Sequence, residues 1–298
     1  MSKLTIPAGY KMPLTNNELQ RAIELIHADF QHNLTVRLNL HRVSAPLFVD
    51  GATGLNDDLN GVERPVTFDI PDVGTDGQVV HSLAKWKRLA LKRYEFKLGT
   101  GLYTDMNAIR RDEVVDNLHS IYVDQWDWEK HIDPQNRNVL YLKDTVREIV
   151  GCICDTATAL RNAFPVLTFR PDRDVYFITT QELEDRFPNL TPNERELEIC
   201  RLHHTVFLMQ IGKTLKSGSK HDGRAPDYDD WDLNGDILMW NPILGRNFEV
   251  SSMGIRVDAA ALDRQLEESG CNQRRNLPFH QMLLHGELPQ SIGGGIGQ

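Results

Sequence analysis

Apolar residues at Leu19, Ala22, Ile23, Ile26 and Phe30 fall on one face of a helix, and Thr15 with Glu18 forms a capping box ahead of them. A strand-like run, RVSAPLFVD, follows. Pro46 inside it predicts a strand at an edge or an interface, because proline cannot donate to a ladder. Residues 51–64 are rich in Gly, Asn and Asp and read as a loop. Ser82 opens a second helix, SLAKWKRLALKRY, with a basic exposed face. Segments 118–128 and 137–142 predict strands. From Asp144 to Phe164 the positions Val146, Ile149, Val150, Ile153, Ala157 and Leu160 give a long amphipathic helix. VYFITT, TVFLMQIG, ILMWNPIL and FEVSSMGIRV read as further strands, with helices over 192–203 and from Asp258 to Ser269, where Gly270 stops the second. No linker and no internal repeat interrupts the pattern, so one domain over residues 1–298 is expected. Strands and helices mix without strict βαβ alternation, which predicts an α+β fold, a mainly antiparallel sheet flanked by helices.

The 298 residues are 40% hydrophobic, enough for a sizeable core. A formal charge of -9 and a pI near 5.7 argue against nucleic-acid binding by electrostatics. No apolar run approaches a membrane span, and MSKLTIPAGYKM lacks a signal-peptide core. Cys152, Cys154, Cys200 and Cys271 have no metal-ligand spacing, which suits reduced thiols and a cytoplasmic home.

Chemistry concentrates between Arg224 and Asp258. Asp227, Asp229, Asp230, Asp232 and Asp236 fall within ten residues, ahead of a β-rich segment with Glu249, Ser251, Ser252 and Arg256. Carboxylates this dense repel one another unless cations hold them, so a metal or an amino group is one reading and a solvated acidic turn the other. A calcium-binding helix–loop–helix is excluded because the twelfth loop position, with Asp230 as the first, is Asn241 and not Glu. Gly212-Lys213-Thr214 lacks the earlier glycine of a phosphate loop, since Phe207 stands there. His203-His204 has no HExxH partner, and there is no GxSxG elbow. Residues 293–297, GGGIG, have no strand–turn–helix context.

In HSIYVDQWDWE, period-2 geometry puts Gln125, Asp127 and Glu129 on one sheet face and Asp124, Trp126 and Trp128 on the other. Three polar groups on a strand face are costly to bury without a polar ligand. Together with Arg110-Arg111-Asp112-Glu113 before it, this strand resembles motif 2 of class II aminoacyl-tRNA synthetases, especially the aspartyl and asparaginyl enzymes. The opening helix and the Pro46 strand resemble motif 1, and the glycine run resembles the start of motif 3. VVHSLAKWKR, GLYT, RAPDYDDW, LNGDILMWNP, SSMGIRVD and IGGGIGQ resemble, more closely, the ammonia-dependent asparagine synthetase family, from about residue 20 to residue 298. That family continues past the glycine run with Ser-Arg and a final helix, whereas this sequence stops at Gln298. The expectation is a shortened C-terminus, without the arginine that stacks on adenine. The 298 residues show no anticodon-binding barrel and no basic tRNA surface, and the acidic balance disfavours a tRNA synthetase fragment.

The resemblance implies ATP-dependent amidation of L-aspartate by ammonia, through β-aspartyl-AMP, with Mg2+. It implies that Arg110 holds the α-phosphate, with Arg111 as the fallback, and that Ser252, Arg256, Gly293, Gly294 and Gly295 belong to the ATP site. Asp236 and Glu249 become the magnesium ligands, although Glu249 could instead pair with Arg256. Lys87 is implied for a substrate carboxylate; on residue type it could instead, like Lys85 or Arg88, belong to a solvated basic helix face. Arg224 matches a second anion-binding position. Asp127, Asp229 and Gln125 would surround the α-ammonium, with Ser82 and Ser120 supplying neutral hydrogen bonds. Asp57 would position ammonium and take its proton; on residue type it could also be a turn residue bonding its own backbone. A homodimer through the N-terminal helix and the Pro46 strand is implied. The alternative is a non-catalytic paralogue that binds aspartate or its adenylate.

Overall fold

A computed structural model describes residues 4–57 and 63–298. The Thr15–Glu18 capping box forms as expected and starts α1, Asn16–Leu38. After it come β1 (Leu40–Arg42) and β2 (Phe48–Asp50), then β3 (Thr67–Ile70) and β4 (Thr75–Val79). The RVSAPLFVD run is therefore two short strands broken around Pro46 rather than one, as a missing donor dictates. In the 51–64 loop, Gly51–Thr53 is a 3-10 turn capped by Asp50, and residues 58–62 lie outside the described residues.

Next come α2 (Ala84–Arg93), β5 (Gly101–Ile109), β6 (Tyr122–His131) and α3 (Val139–Ala163). The expected strand at 137–142 is instead the first turn of α3. Asn138 accepts hydrogen bonds from the amides of Leu140 and Tyr141, and that cap outweighs the local β-like run VLYL. The remainder is β7 (Tyr176–Thr179), α4 (Thr180–Arg186), α5 (Pro192–His203), β8 (Thr205–Met209), β9 (Asp229–Asn241), β10 (Arg246–Arg256), α6 (Ala259–Glu268), α7 (Pro278–Leu284) and β11 (Ser291–Gly297).

An eight-stranded sheet has the order β1-β5-β6-β11-β10-β9-β8-β7. The inner pairings are all antiparallel, and only the two outermost, β1 with β5 and β7 with β8, are parallel. β2, β4 and β3 form a separate small antiparallel sheet. The expected α+β architecture holds. One face of the large sheet carries Trp126, Trp128, Met253, Ile255, Ile292 and Ile296 and packs on α1 and α3 through Phe30, Leu34, Val146 and Ile149. The other face is left for polar groups. Along its rim a second cluster joins α2, α6 and α7, including Leu83, Leu89, Leu262 and Phe279. No described helix is long and apolar enough to cross a membrane.

Candidate active site

The face of the sheet away from α1 and α3 floors a cleft of about 440 Å³. β6 supplies Gln125, Asp127 and Glu129, as alternation predicts, while Trp126 and Trp128 enter the core. β11 runs between β6 and β10, and Gly293 pairs with both Glu129 and Gly254. A Cβ on Gly293 would lie 1.9 Å from Glu129 Oε2 and 2.6 Å from Arg256 Nη2. At Gly295 it would lie 2.6 Å from Gln125 Oε1 and 2.7 Å from Asp127 Oδ1. The glycine run is thus a strand whose bareness leaves room for its neighbours' polar side chains, not a phosphate-binding loop.

α2 brings three cations into the protein rather than to its surface: Lys85, Lys87 and Arg88 are each 3% exposed or less. This overturns the expected basic exposed face, because α2 is packed between the sheet and the second apolar cluster. Only Lys87 reaches the cleft. Its Nζ donates to Gly294 O at 2.8 Å and meets Asp127 Oδ2 at 2.9 Å. Burial pulls its pKa down, and the charge of Asp127 opposes that shift. Arg88 donates to the carbonyls of Pro289 and Val257, so it holds backbone in place.

The acidic segment is a buried turn at Asp227 running into β9 from Asp229, not a solvated turn. Asp227, Asp229, Asp230 and Asp236 are buried, and the cations that hold the run are the protein's own. Lys85, Arg274 and His280 face Asp227. Arg137 and Arg264 reach Asp230, and Lys213 and Arg264 reach Asp232. Arg256 lies between Glu129 (Nη2 to Oε2, 2.7 Å) and Asp229. Burial works against its charge, yet those two carboxylates outweigh burial and raise its pKa. Glu129 also accepts from Ser291 Oγ at 2.7 Å. Arg256 therefore pairs with Glu129 and Asp229 in the cleft wall and not with Glu249.

At the other end, Arg224 donates to Asp236 at 2.5 Å and to Ser252 Oγ. Glu249 is exposed at the cleft's mouth. Its carboxyl is pushed up, to about 8, first by the charge of Asp236 and then by withdrawal from water, with Arg224 and Arg110 pulling the other way. Contact with solvent tempers that push. Arg110, just past β5, lines the same end, and its buried Nε has no hydrogen-bond partner among the described residues. Arg111 lines the cleft from a more exposed position.

Of the residues singled out by sequence, Ser82, Lys87, Arg110, Arg111, Gln125, Asp127, Arg224, Asp229, Asp236, Glu249, Ser252, Arg256, Gly294 and Gly295 all line this cleft. Three are not brought into it, and one of them is Gly293, whose open face in β11 is taken by the side chains of Glu129 and Arg256. Ser120 is exposed outside the lining, in the loop before β6. Asp57, 3% exposed, lines a neighbouring cavity of about 220 Å³. Residues missed by sequence reasoning are His81 and Tyr228, both lining the cleft. Each sits beside a residue that was named, Ser82 and Asp229, but neither type in isolation signals a role.

The fold matches solved class II synthetases. An asparaginyl-tRNA synthetase from Entamoeba histolytica in complex with asparaginyl-adenylate aligns with a TM-score of 0.63 at 12% identity, over 98% of this chain and 67% of that one. The Pyrococcus horikoshii enzyme, also with asparaginyl-adenylate, aligns at 0.66 and 14%, over 94% and 63%. This chain is an enzyme built on the class II aminoacyl-tRNA synthetase fold. A family model for aspartate-ammonia ligase matches residues 17–298. Curated aspartate–ammonia ligases are 57% identical in Clostridium perfringens, over 100% of this chain and 89% of that protein, and 56% in Lactobacillus johnsonii, over 99% and 88%. The chain belongs to the aspartate–ammonia ligase family.

Proposed function

We propose that this protein makes L-asparagine from L-aspartate, ammonia and ATP, releasing AMP and diphosphate through β-aspartyl-AMP. A carboxylate is a poor electrophile with no competent leaving group, so the adenylate must form before nitrogen attacks. The observation that carries the reading is the division of one cleft into two electrostatic ends. Lys87, Asp127 and Asp229 offer both signs of charge to a small zwitterion, and Asp236, Glu249 and Arg110 offer both to a metal-bound triphosphate.

In this reading Lys87 takes a substrate carboxylate, while Asp127, Asp229 and Gln125 surround the α-ammonium. Ser82 and Ser252 supply neutral hydrogen bonds, and Arg224 sits between the two ends. Arg110 neutralises the α-phosphate as the β-carboxylate attacks phosphorus and diphosphate leaves, with Arg111 next to it. Arg256 acts through Glu129 and Asp229 as a positioning residue. Alignment of the two substrates can supply roughly 7–11 kcal/mol of the barrier reduction.

Two crowded carboxylates, one with its pKa raised by the other, fit a divalent cation. Among the described residues no group of three or more His, Cys, Asp or Glu side chains could hold a metal unaided. Phosphate oxygens and water would complete the shell, as Mg2+ usually requires. When bound there it would screen charge between phosphates. We also propose one domain, a homodimer through α1 and the segment around Pro46, where Val36 and Leu47 are exposed, and a cytoplasmic site of action suited to its four free thiols.

The test is one assay with aspartate, Mg-ATP and ammonium chloride that follows asparagine and AMP together, beside a no-ammonium control. Ammonium-dependent appearance of both supports the reading. ADP in place of AMP would overturn the adenylate route. Aspartate binding without turnover would mark a non-catalytic paralogue.

A further inference from the structure

His81 is 0% exposed, lines the cleft beside Ser82, and precedes α2. Its Nδ1 lies 2.9 Å from the carbonyl oxygen of Asp57. A carbonyl can only accept, so Nδ1 carries the hydrogen and, in the neutral ring, Nε2 carries a bare lone pair. That nitrogen is buried and has no hydrogen-bond partner among the described residues. Buried polar atoms are nearly always paired, so an orphan in a cleft wall calls for a ligand. A nitrogen so enclosed excludes a large substrate and leaves only a ligand the size of water or ammonia to be considered. Through that carbonyl His81 is joined to Asp57, which lines the second cavity, and it shares the cleft wall with Tyr228, whose phenol pKa is raised by burial and then by the charge of Asp57.

We propose that His81 Nε2 binds ammonium and takes its first proton, which deepens the functional reading above and rests on it. One N–H bond of ammonium breaks, its proton goes to Nε2, and the electron pair stays on nitrogen. Ammonia then attacks the β-carbonyl carbon of the adenylate. The C–N bond forms, the bond from that carbon to the phosphate oxygen breaks with its electrons going to AMP, and the second proton leaves on the AMP phosphate. The imidazolium returns its proton to water as asparagine departs. Asp57 is the positioning residue that fixes the tautomer.

His81→Asn tests this, because its carboxamide can keep donating to Asp57 while the basic nitrogen is lost. Three rates are compared with the unchanged protein: aspartate-dependent ATP–diphosphate exchange, amidation by ammonium, and amidation by hydroxylamine, which is already neutral at the assay pH. The expected result is intact exchange, intact hydroxamate formation and an ammonium-dependent rate lowered about 100-fold or more, the range of a lost proton acceptor. An equal fall with both nucleophiles would show a merely structural role and overturn the proposal, as would an unchanged ammonium rate. Should His81→Asn fail to fold, His81→Gln, which keeps a non-basic acceptor near Nε2, is read in the same way. Absence of exchange in the unchanged protein would instead count against the adenylate reading itself.

Discussion

Asp227 and Asp236 come from the same acidic stretch and meet opposite fates. Asp227 is 0% exposed and is faced by Lys85, Arg274 and His280, and its pKa lies far below the ordinary carboxylate range despite burial. Among the described residues Asp236 is paired with Arg224 alone, and beside it Glu249 has its proton affinity raised. The first group is neutralised by the protein itself. The second is left short of positive charge in a cleft wall, which marks it as a place for an arriving cation. Sequence density alone does not separate the two, since what differs is which distant cations fold against each.

The largest effect expected from breaking this contrast is at Lys85. Replacing it with Met leaves Asp227 buried with one cation fewer, and removing one partner of a buried pair costs about 3–5 kcal/mol. A lowered urea midpoint at unchanged slope is the measurement. A loss below about 1 kcal/mol, the size of a surface pair, would show that the two groups do not differ in kind.

Glu249→Gln should do the reverse. With one negative charge fewer beside Asp236, stability of the free protein should hold or rise slightly, while kcat/KM for Mg-ATP falls by at least ~10-fold, the lower end for losing a partner around a metal. Titrating Mg2+ against the variant checks this. An unchanged requirement for Mg2+ would remove Glu249 from the metal site.

The sheet was legible wherever local pattern decides structure. Alternation placed Gln125, Asp127 and Glu129 together, and the capping box fixed the start of α1. It failed where a partner is remote. Lys85 and Arg88 read as solvated, and Lys87 drew its role from resemblance alone, because nothing near α2 announces that Asp227, Gly294 and Val257 will fold against them. The glycine run lacked side chains to show a strand period, yet it runs between β6 and β10. His81 was invisible because its significance rests on an unpartnered atom.

pH sharpens the contrast at smaller scale. A carboxyl whose folded pKa is depressed binds fewer protons folded than unfolded, so its contribution is present above the unfolded value, about 4, and is lost as pH falls below it. Asp227 should therefore contribute to acid unfolding, and Asp227→Asn should flatten the stability curve between roughly pH 3 and 5. An acid limb of unchanged steepness would remove Asp227 from that set.

Glu249 has the opposite sign, and its effect is the smallest. A raised folded pKa means that the folded protein holds a proton where the unfolded chain has released it. The associated stability is present below the ordinary carboxylate value and lost as pH rises towards about 8. We predict that near neutrality some molecules carry a proton on Glu249. A cation that binds both carboxylates must displace it, because coordination needs the charged form. Mg-ATP binding should then release a fraction of a proton, seen in calorimetry as a heat that varies with the ionisation enthalpy of the buffer. The release should shrink as pH rises past the pair's range and be lost in Glu249→Gln, whereas Asp227, already ionised by its own cations, should contribute none. Buffer-independent heats in the unchanged protein would mean that the pair is fully ionised before the ligand arrives.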